Sequence, residues 1–284
     1  MSVKKYFSLV KFAHTIFAMP FAGIGYFLGV QYAGAGFRWQ TLLLVVLCMV
    51  FARNAAMGFN RYIDRAVDAK NPRTDKREIP AGVIAPRAAF VFVTVNVLAF
   101  MAACWLLNRL VFYLSPVALI VILGYSFTKK FTSMCHFFLG TGLSLAPIGA
   151  YLSVTGAFAP LPLMFSGIVL LWSGGFDIIY ALQDESFDIR ERLHSIPARL
   201  GLRRALFVSS AVHIVCGALV VITGFVGGFG VWYAVGTIIF LFLLLYQHLI
   251  VKPNDLSRVN AAFFTSNGIA SIVFAGFTIL DLFL

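Results

Sequence analysis

Charge is scarce in this chain of 284 residues: Asp, Glu, Lys and Arg together make up 12%. A soluble domain carries about twice that share, so a soluble globular fold is excluded. Acids are the scarcer sign, 11 against 22 basic residues. A net charge of +11 suits a nucleic-acid binder, but such a protein spreads its charge over a wet surface. Here the charges are squeezed between long apolar runs, which excludes nucleic acid as a partner. The four cysteines, Cys48, Cys104, Cys135 and Cys216, form no CxxC pair and sit in or beside apolar runs. They read as small apolar side chains rather than a disulfide framework or metal site. Long alternation of polar and apolar residues is also missing, which excludes a membrane β-barrel. The N-terminus lacks the short apolar core and small-residue cleavage site of a signal peptide. Its apolar stretch runs on to Val30 and reads as a first spanning helix.

What the chain has is apolar length: 61% hydrophobic residues and a mean hydropathy of +0.91. A bilayer core takes about 20 residues of helix. On that measure nine spans are expected, at 10–30, 40–60, 87–107, 111–127, 134–154, 161–181, 204–223, 231–250 and 261–282. The connections at 31–39, 108–110, 155–160 and 224–230 are poor in charge; those at 61–86, 128–133, 182–203 and 251–260 carry it. Nine spans put the N-terminus on the charged side. Every Lys and Arg except Arg38 and Arg109 then falls there. The positive-inside rule makes that side cytoplasmic and puts the C-terminus outside. The expected fold is an all-α integral membrane protein, one polytopic domain over 1–284.

The acids are more informative. All but Asp255 and Asp281 fall in two stretches, each at the cytoplasmic end of an expected span. Asp64, Asp68, Asp75 and Glu78 form one; Asp177, Asp184, Glu185, Asp188 and Glu191 form the other. Asn60, Asp64 and Asp68 are four apart and share one helical face; Asp177, Asp184 and Asp188 share another. Carboxylates near a membrane mark function unless paired. Two such faces pointing at one cavity repel each other without a cation. Oxygen-rich sites that keep some water suit Mg²⁺, held by carboxylates together with substrate phosphates. The alternative is ion pairing with nearby Arg and Lys in a solvated loop. Two motifs, each closing a span and each followed by basic residues, favour the metal. Arg65, Lys70, Arg73, Lys76 and Arg77 follow the first motif, Lys129 and Lys130 end the fourth span, and Arg190, Arg192 and Arg199 follow the second. Some of these suit diphosphate oxygens, and others anchor helices to anionic lipid. Tyr180 shares the face of Asp184. The five histidines share no helical face, and only His136 and His194 lie near the charged side. A transporter with acidic ion sites is the competing class, but it places such charges near the bilayer midplane.

Asn60-Arg-Tyr-Ile-Asp64-Arg-Ala-Val-Asp68, followed by Thr74-Asp-Lys-Arg77-Glu-Ile-Pro80-Ala-Gly82, resembles the first signature of the UbiA intramembrane prenyltransferases. Asp177-Ile-Ile-Tyr180-Ala-Leu-Gln-Asp184-Glu-Ser-Phe-Asp188, with Ser195-Ile-Pro197 and Gly201, resembles the second. Tyr125-Ser-Phe-Thr-Lys129-Lys130 resembles the tyrosine–lysine segment, and His14-Thr-Ile-Phe-Ala-Met-Pro20 the first helix. The chain departs from the family at Arg61, where many members carry Asp, and at Arg192, where many carry Gly. The resemblance implies a nine-helix bundle around a central cavity open to lipid. It implies Mg²⁺ held by Asp64, Asp68, Asp184 and Asp188, with Lys129 and Arg77 on the leaving diphosphate. Asn60, Arg65, Tyr125, Asp177 and Tyr180 complete the substrate-binding set. The chain is most similar to a bacterial branch labelled 4-hydroxybenzoate polyprenyltransferase-like, some of whose members serve menaquinone synthesis through the futalosine route. The implied partners are a polyprenyl diphosphate and an aromatic acceptor of quinone biosynthesis, a hydroxybenzoate or a dihydroxynaphthoate; a relative with another acceptor, such as haem, a chlorophyll precursor or a glycerol lipid, is the competing reading. The implied location is a bacterial inner membrane, with no obligate protein partner.

Overall fold

The computed structural model describes residues 3–10, 17–32 and 34–284. Among them helices α1 (Val3–Val10) and α2 (Met19–Tyr32) precede α3 (Trp39–Ile63) and the single turn α4 (Arg65–Asp68). Then come α5 (Pro86–Leu107), α6 (Arg109–Thr128), α7 (Cys135–Thr155) and α8 (Pro160–Ala181). A 3₁₀ turn at Leu182–Asp184 leads into α9 (Glu185–Arg190) and α10 (Ile196–Leu200). Helices α11 (Leu202–Gly227), α12 (Val231–Ile250) and α13 (Asn267–Phe283) follow, α13 entered through a π-helical segment, Ala261–Ser266. Eight of the described helical stretches are long and apolar enough to cross a bilayer. The first expected span, 10–30, includes residues 11–16 and His14, which lie outside the described residues; its described part is α2, 14 residues long.

The span ends follow local chemistry. Proline opens α5 and α8, where its missing N–H has no helical partner to lose. Gly156 and Gly228 close α7 and α11 at φ of 63°, a conformation that favours glycine. Asn108 caps α6 by accepting from Val111 N–H at 2.9 Å, and its amide donates to the Leu152 carbonyl at 2.8 Å. One side chain thus ties two loops at the uncharged end.

In lipid, helices gain little from burying apolar surface, so close packing and interhelical hydrogen bonds hold the bundle. Gly25 lets α2 touch α7: a Cβ there meets the Pro147 carbonyl oxygen at 2.0 Å. Phe21, Phe165, Trp172, Phe176, Phe240 and Phe274 form the centre of the larger core. Inside it, Trp172 Nε1–H and Gln247 both donate to Asn267 Oδ1, at 2.9 and 2.8 Å. Asn267 donates back to the Phe263 carbonyl at 3.0 Å, within the π-helical segment. His213 and His248, which share no face on one helix, meet across α11 and α12 at 2.9 Å. The four cysteines are free thiols.

Candidate active site

Both acidic stretches break the helix that carries them. α3 ends at Ile63, and Asp64 bends the chain (φ −87°, ψ 2°) before α4. The four-residue hydrogen bonds continue across the bend, Asp64 N–H to the Asn60 carbonyl and Asp68 N–H to the Asp64 carbonyl. Asn60, Asp64 and Asp68 therefore remain in register, and Asn60 Nδ2 donates to Asp64 Oδ2 at 2.8 Å. Burial, together with repulsion from Asp68, pushes the Asp64 carboxyl up to about 6 against the pull of Lys130, Lys129 and Arg77. In the second stretch the 3₁₀ turn tightens the chain after α8 and breaks the expected common face. Asp184 and Asp188 are buried at the site, whereas Asp177 turns to His136, its Oδ2 lying 2.7 Å from Nδ1.

The loop between α4 and α5 crosses to the second stretch. Arg73 grips Asp184 with two nitrogens, Nε to Oδ1 at 2.9 Å and Nη2 to Oδ2 at 2.5 Å, and Asn71 Nδ2 adds a bond at 3.1 Å. Arg73 also donates to the Tyr180 hydroxyl at 3.1 Å, and Tyr180 stacks on Phe263 with centroids 4.1 Å apart. Arg77 pairs with Asp68 at 2.6 Å, and Lys129 with Asp188 at 2.8 Å. Ser195 donates to the other Asp188 oxygen at 2.8 Å. The His194 N–H donates to the Lys129 carbonyl at 2.7 Å, so the loop after α9 is stitched to the end of α6. Burial pulls the Lys129 amine down, but Asp188 outweighs it and holds the amine above its usual range.

Among the described residues no three Asp, Glu, His or Cys side chains converge to hold a metal. The cation that the facing carboxylates require is supplied here by Arg73, Arg77 and Lys129. The donor set nevertheless fits Mg²⁺: four carboxylates and an amide are hard oxygen ligands. Asp68 Oδ2 is buried without a hydrogen-bond partner, a vacant acceptor at the place where a cation belongs. Arg61 Nε and Nη1, at the position where many family members have Asp, and Arg53 Nε are likewise buried and unpartnered.

Beside this polar end lies an apolar cavity of about 310 Å³ walled by α3, α5, α6 and α7. Arg53 and Tyr125 line it toward the carboxylates; Leu107, Val111 and Leu152 line it toward the uncharged loops. Among the described residues of that lining, Arg53 is the one charged side chain. Counted with the cytoplasmic charge, Arg53 in fact sits inside the membrane on α3, seven residues before Asn60. Tyr125 is within electrostatic reach of Arg53, Arg61, Asp64 and Asp177.

Two expectations need correction. Arg65 does not face the carboxylates; it is exposed, donates to the Tyr62 carbonyl and lies 4.6 Å over the Tyr62 ring. Its neighbour in sequence faces the site, and adjacent helical residues point in different directions. Asp177 does not join Asp184 and Asp188 but forms a separate pair with His136. Sequence missed Asn71, which stands in an irregular loop, and Arg53, whose one signal was a charge within an apolar span; it named Arg73 after the first motif but not its grip on Asp184.

Arg192, at the position where many family members have glycine, adopts φ of 54°. A side chain in that region costs roughly 1–2 kcal/mol. Arg192→Gly is therefore expected to stabilise the folded protein by about 1 kcal/mol. An unchanged or lower unfolding temperature in detergent would contradict this.

Helices surround an apolar cavity, and two carboxylate motifs stand beyond its Arg53 end, the form of an intramembrane enzyme. A family model, the UbiA prenyltransferase family, matches residues 18–268. The 4-hydroxybenzoate octaprenyltransferase of Nitrosospira multiformis is 32% identical, covering 84% of this chain and 82% of its own length. That of Tolumonas auensis is 28% identical over 86% of this chain and 85% of its own. The apo structure of a UbiA homolog from Aeropyrum pernix superposes with a TM-score of 0.85 at 30% identity, covering 94% of this chain and 98% of that one. A UbiA homolog from Archaeoglobus fulgidus bound to GPP and Mg²⁺ shares the fold, with a TM-score of 0.75 at 21% identity over 99% of this chain and all of the other. The chain belongs to the UbiA prenyltransferase family. It is a membrane-embedded prenyltransferase, which removes the transporter reading.

Proposed function

We propose that the chain transfers a polyprenyl group from its diphosphate to the ring of an aromatic acid such as 4-hydroxybenzoate, in quinone biosynthesis. The observation that carries this reading is the junction at Arg53: the apolar cavity ends at Arg53 and Tyr125, and Arg53 Nε is buried there without a hydrogen-bond partner. The names of the similar octaprenyltransferases support the same acceptor class. Asp64, Asp68, Asp184 and Asp188 would hold Mg²⁺, with Asn60 adding an amide oxygen. Bound there, Mg²⁺ supplies positive charge against the diphosphate. Arg73, Arg77 and Lys129, freed from their carboxylates, turn to phosphate oxygens and stabilise charge as the carbon–oxygen bond breaks. The isoprenoid chain lies along the apolar wall, which keeps water from the allylic cation. The acceptor's carboxylate meets Arg53, and its ring sits beside Tyr125. The ring carbon next to the hydroxyl attacks the cation and then loses its proton. The charged loops face the cytoplasm of a bacterial inner membrane and the C-terminus lies outside, supported by the one-sided distribution of Lys and Arg.

Purified protein in detergent, given geranyl diphosphate and either 4-hydroxybenzoate or a dihydroxynaphthoate, tests this by mass spectrometry. A prenylated acid and equal diphosphate are expected, lost in EDTA and restored by Mg²⁺. Turnover that persists in EDTA, or no prenylated ring with any aromatic acid, would overturn it.

A further inference from the structure

Most carboxylates of the two motifs are held by cations: Asp68 by Arg77, Asp184 by Arg73, Asp188 by Lys129. Asp177 is held differently. Its partner His136 is 2% exposed and receives the Ile196 N–H on Nε2 at 3.3 Å. On the other side of the ring, Nδ1 lies against Asp177 Oδ2 and donates to it. The Ile196 N–H is free for its bond to Nε2 because it opens α10 and has no helical partner. Ser195, the cap of the same helix, donates to Asp188. One loop therefore sets both the imidazole and a carboxylate of the diphosphate end.

Asp177 lies two turns before Asp184 on the chain, inside α8. Its side chain is 21% exposed, and its Oδ1 makes no hydrogen bond among the described residues. Tyr125, on the cavity wall, is within electrostatic reach of it. A carboxylate clamped by a guanidinium or ammonium is a weak base. Asp177 is held by an imidazole through one oxygen and presents the other.

We infer that Asp177 accepts the proton displaced from the acceptor ring and that His136 is the positioning residue that aims it. This rests on the transfer reading above. The electron balance is closed: the breaking carbon–oxygen bond leaves its pair on diphosphate, and a ring pair forms the new carbon–carbon bond. The proton on that ring carbon passes to Asp177 Oδ1, and the pair it leaves restores aromaticity.

The test measures two products at once, prenylated ring and free diphosphate, from geranyl diphosphate with ordinary and ring-deuterated 4-hydroxybenzoate. In the wild type, proton loss is fast, and the deuterium effect on kcat is about 1. In Asp177→Asn and His136→Ala, kcat for ring prenylation is expected to fall about 100-fold with little change in KM. The isotope effect rises to about 2 or more, and the yield of prenylated ring per diphosphate falls as the cation is lost to water. His136→Gln, which keeps an N–H donor, recovers most of the loss and guards against simple misfolding. Equal loss of diphosphate release and prenylation, or an isotope effect that stays near 1, would place Asp177 with the diphosphate groups and overturn the inference. A wild type that releases diphosphate but leaves 4-hydroxybenzoate untouched removes that acceptor instead. Diphosphate release from the donor alone still judges the pair then: loss of release in Asp177→Asn overturns it, and release well above the level of Asp184→Ala supports it.

Discussion

Asp184→Ala is expected to remove turnover by at least about 1,000-fold, equal to about 4 kcal/mol of transition-state stabilisation. Asp184 takes two bonds from Arg73 and one from Asn71, and is 7% exposed. It is the point where the first motif's loop meets the second motif. Its loss withdraws a carboxylate from the proposed Mg²⁺ set and leaves the Arg73 guanidinium without its anion. Asp64→Ala, on the other motif, is expected to lose a similar amount. The measurement is kcat with saturating geranyl diphosphate and Mg²⁺, corrected for protein that elutes as a folded species in detergent. Loss of folding alone predicts a smaller folded fraction with unchanged kcat per folded molecule. Near-wild-type turnover in either variant would contradict a diphosphate site built from both motifs.

Much of this site is legible in the sequence because its signal is local. Acids are so few that their confinement to two stretches marks the place, and the spacing of Asn60, Asp64 and Asp68 survives a bend that keeps the hydrogen-bond register. Span boundaries follow from apolar length and from Pro and Gly at the ends. What sequence hides is whatever depends on another element. Arg73 reaches Asp184 from an aperiodic loop. His136 claims Asp177 from a neighbouring helix, and a 3₁₀ turn undoes the common face that spacing suggests. Arg53 is masked by the charge rule itself, since a basic residue near the inner end of a span counts equally well as an anchor. Arg65 fails for the opposite reason: proximity in sequence to Asp64 stands in for a shared face that a helix does not provide.

The same contrast between adjacent residues gives the sharpest expectation for Lys129 and Lys130. Lys129 Nζ lies 2.8 Å from Asp188, whose side chain is fully buried. Lys130 is exposed and lies 5.6 Å over the Phe127 ring, itself exposed, the posture of a residue at a membrane surface. If both lysines merely anchor the helix to lipid, either is lost cheaply. If Lys129 grips the leaving diphosphate, its charge matters most as the carbon–oxygen bond breaks. Pre-organised charge of that kind is worth about 3 kcal/mol, or about 100-fold in rate. Lys129→Ala is therefore expected to lose about 100-fold in kcat with a smaller change in KM. Lys130→Ala is expected to stay within about twofold of the wild type. Removing Lys129 also strands the buried Asp188, which costs folding stability. Two readouts separate that from catalysis. Stability is read from the unfolding temperature, and kcat is expressed per folded molecule. Lys129→Gln keeps a donor toward Asp188 without the charge and is expected to recover unfolding temperature but not kcat. Recovery of both, or equal activity in Lys129→Ala and Lys130→Ala, would reduce Lys129 to a structural partner of Asp188.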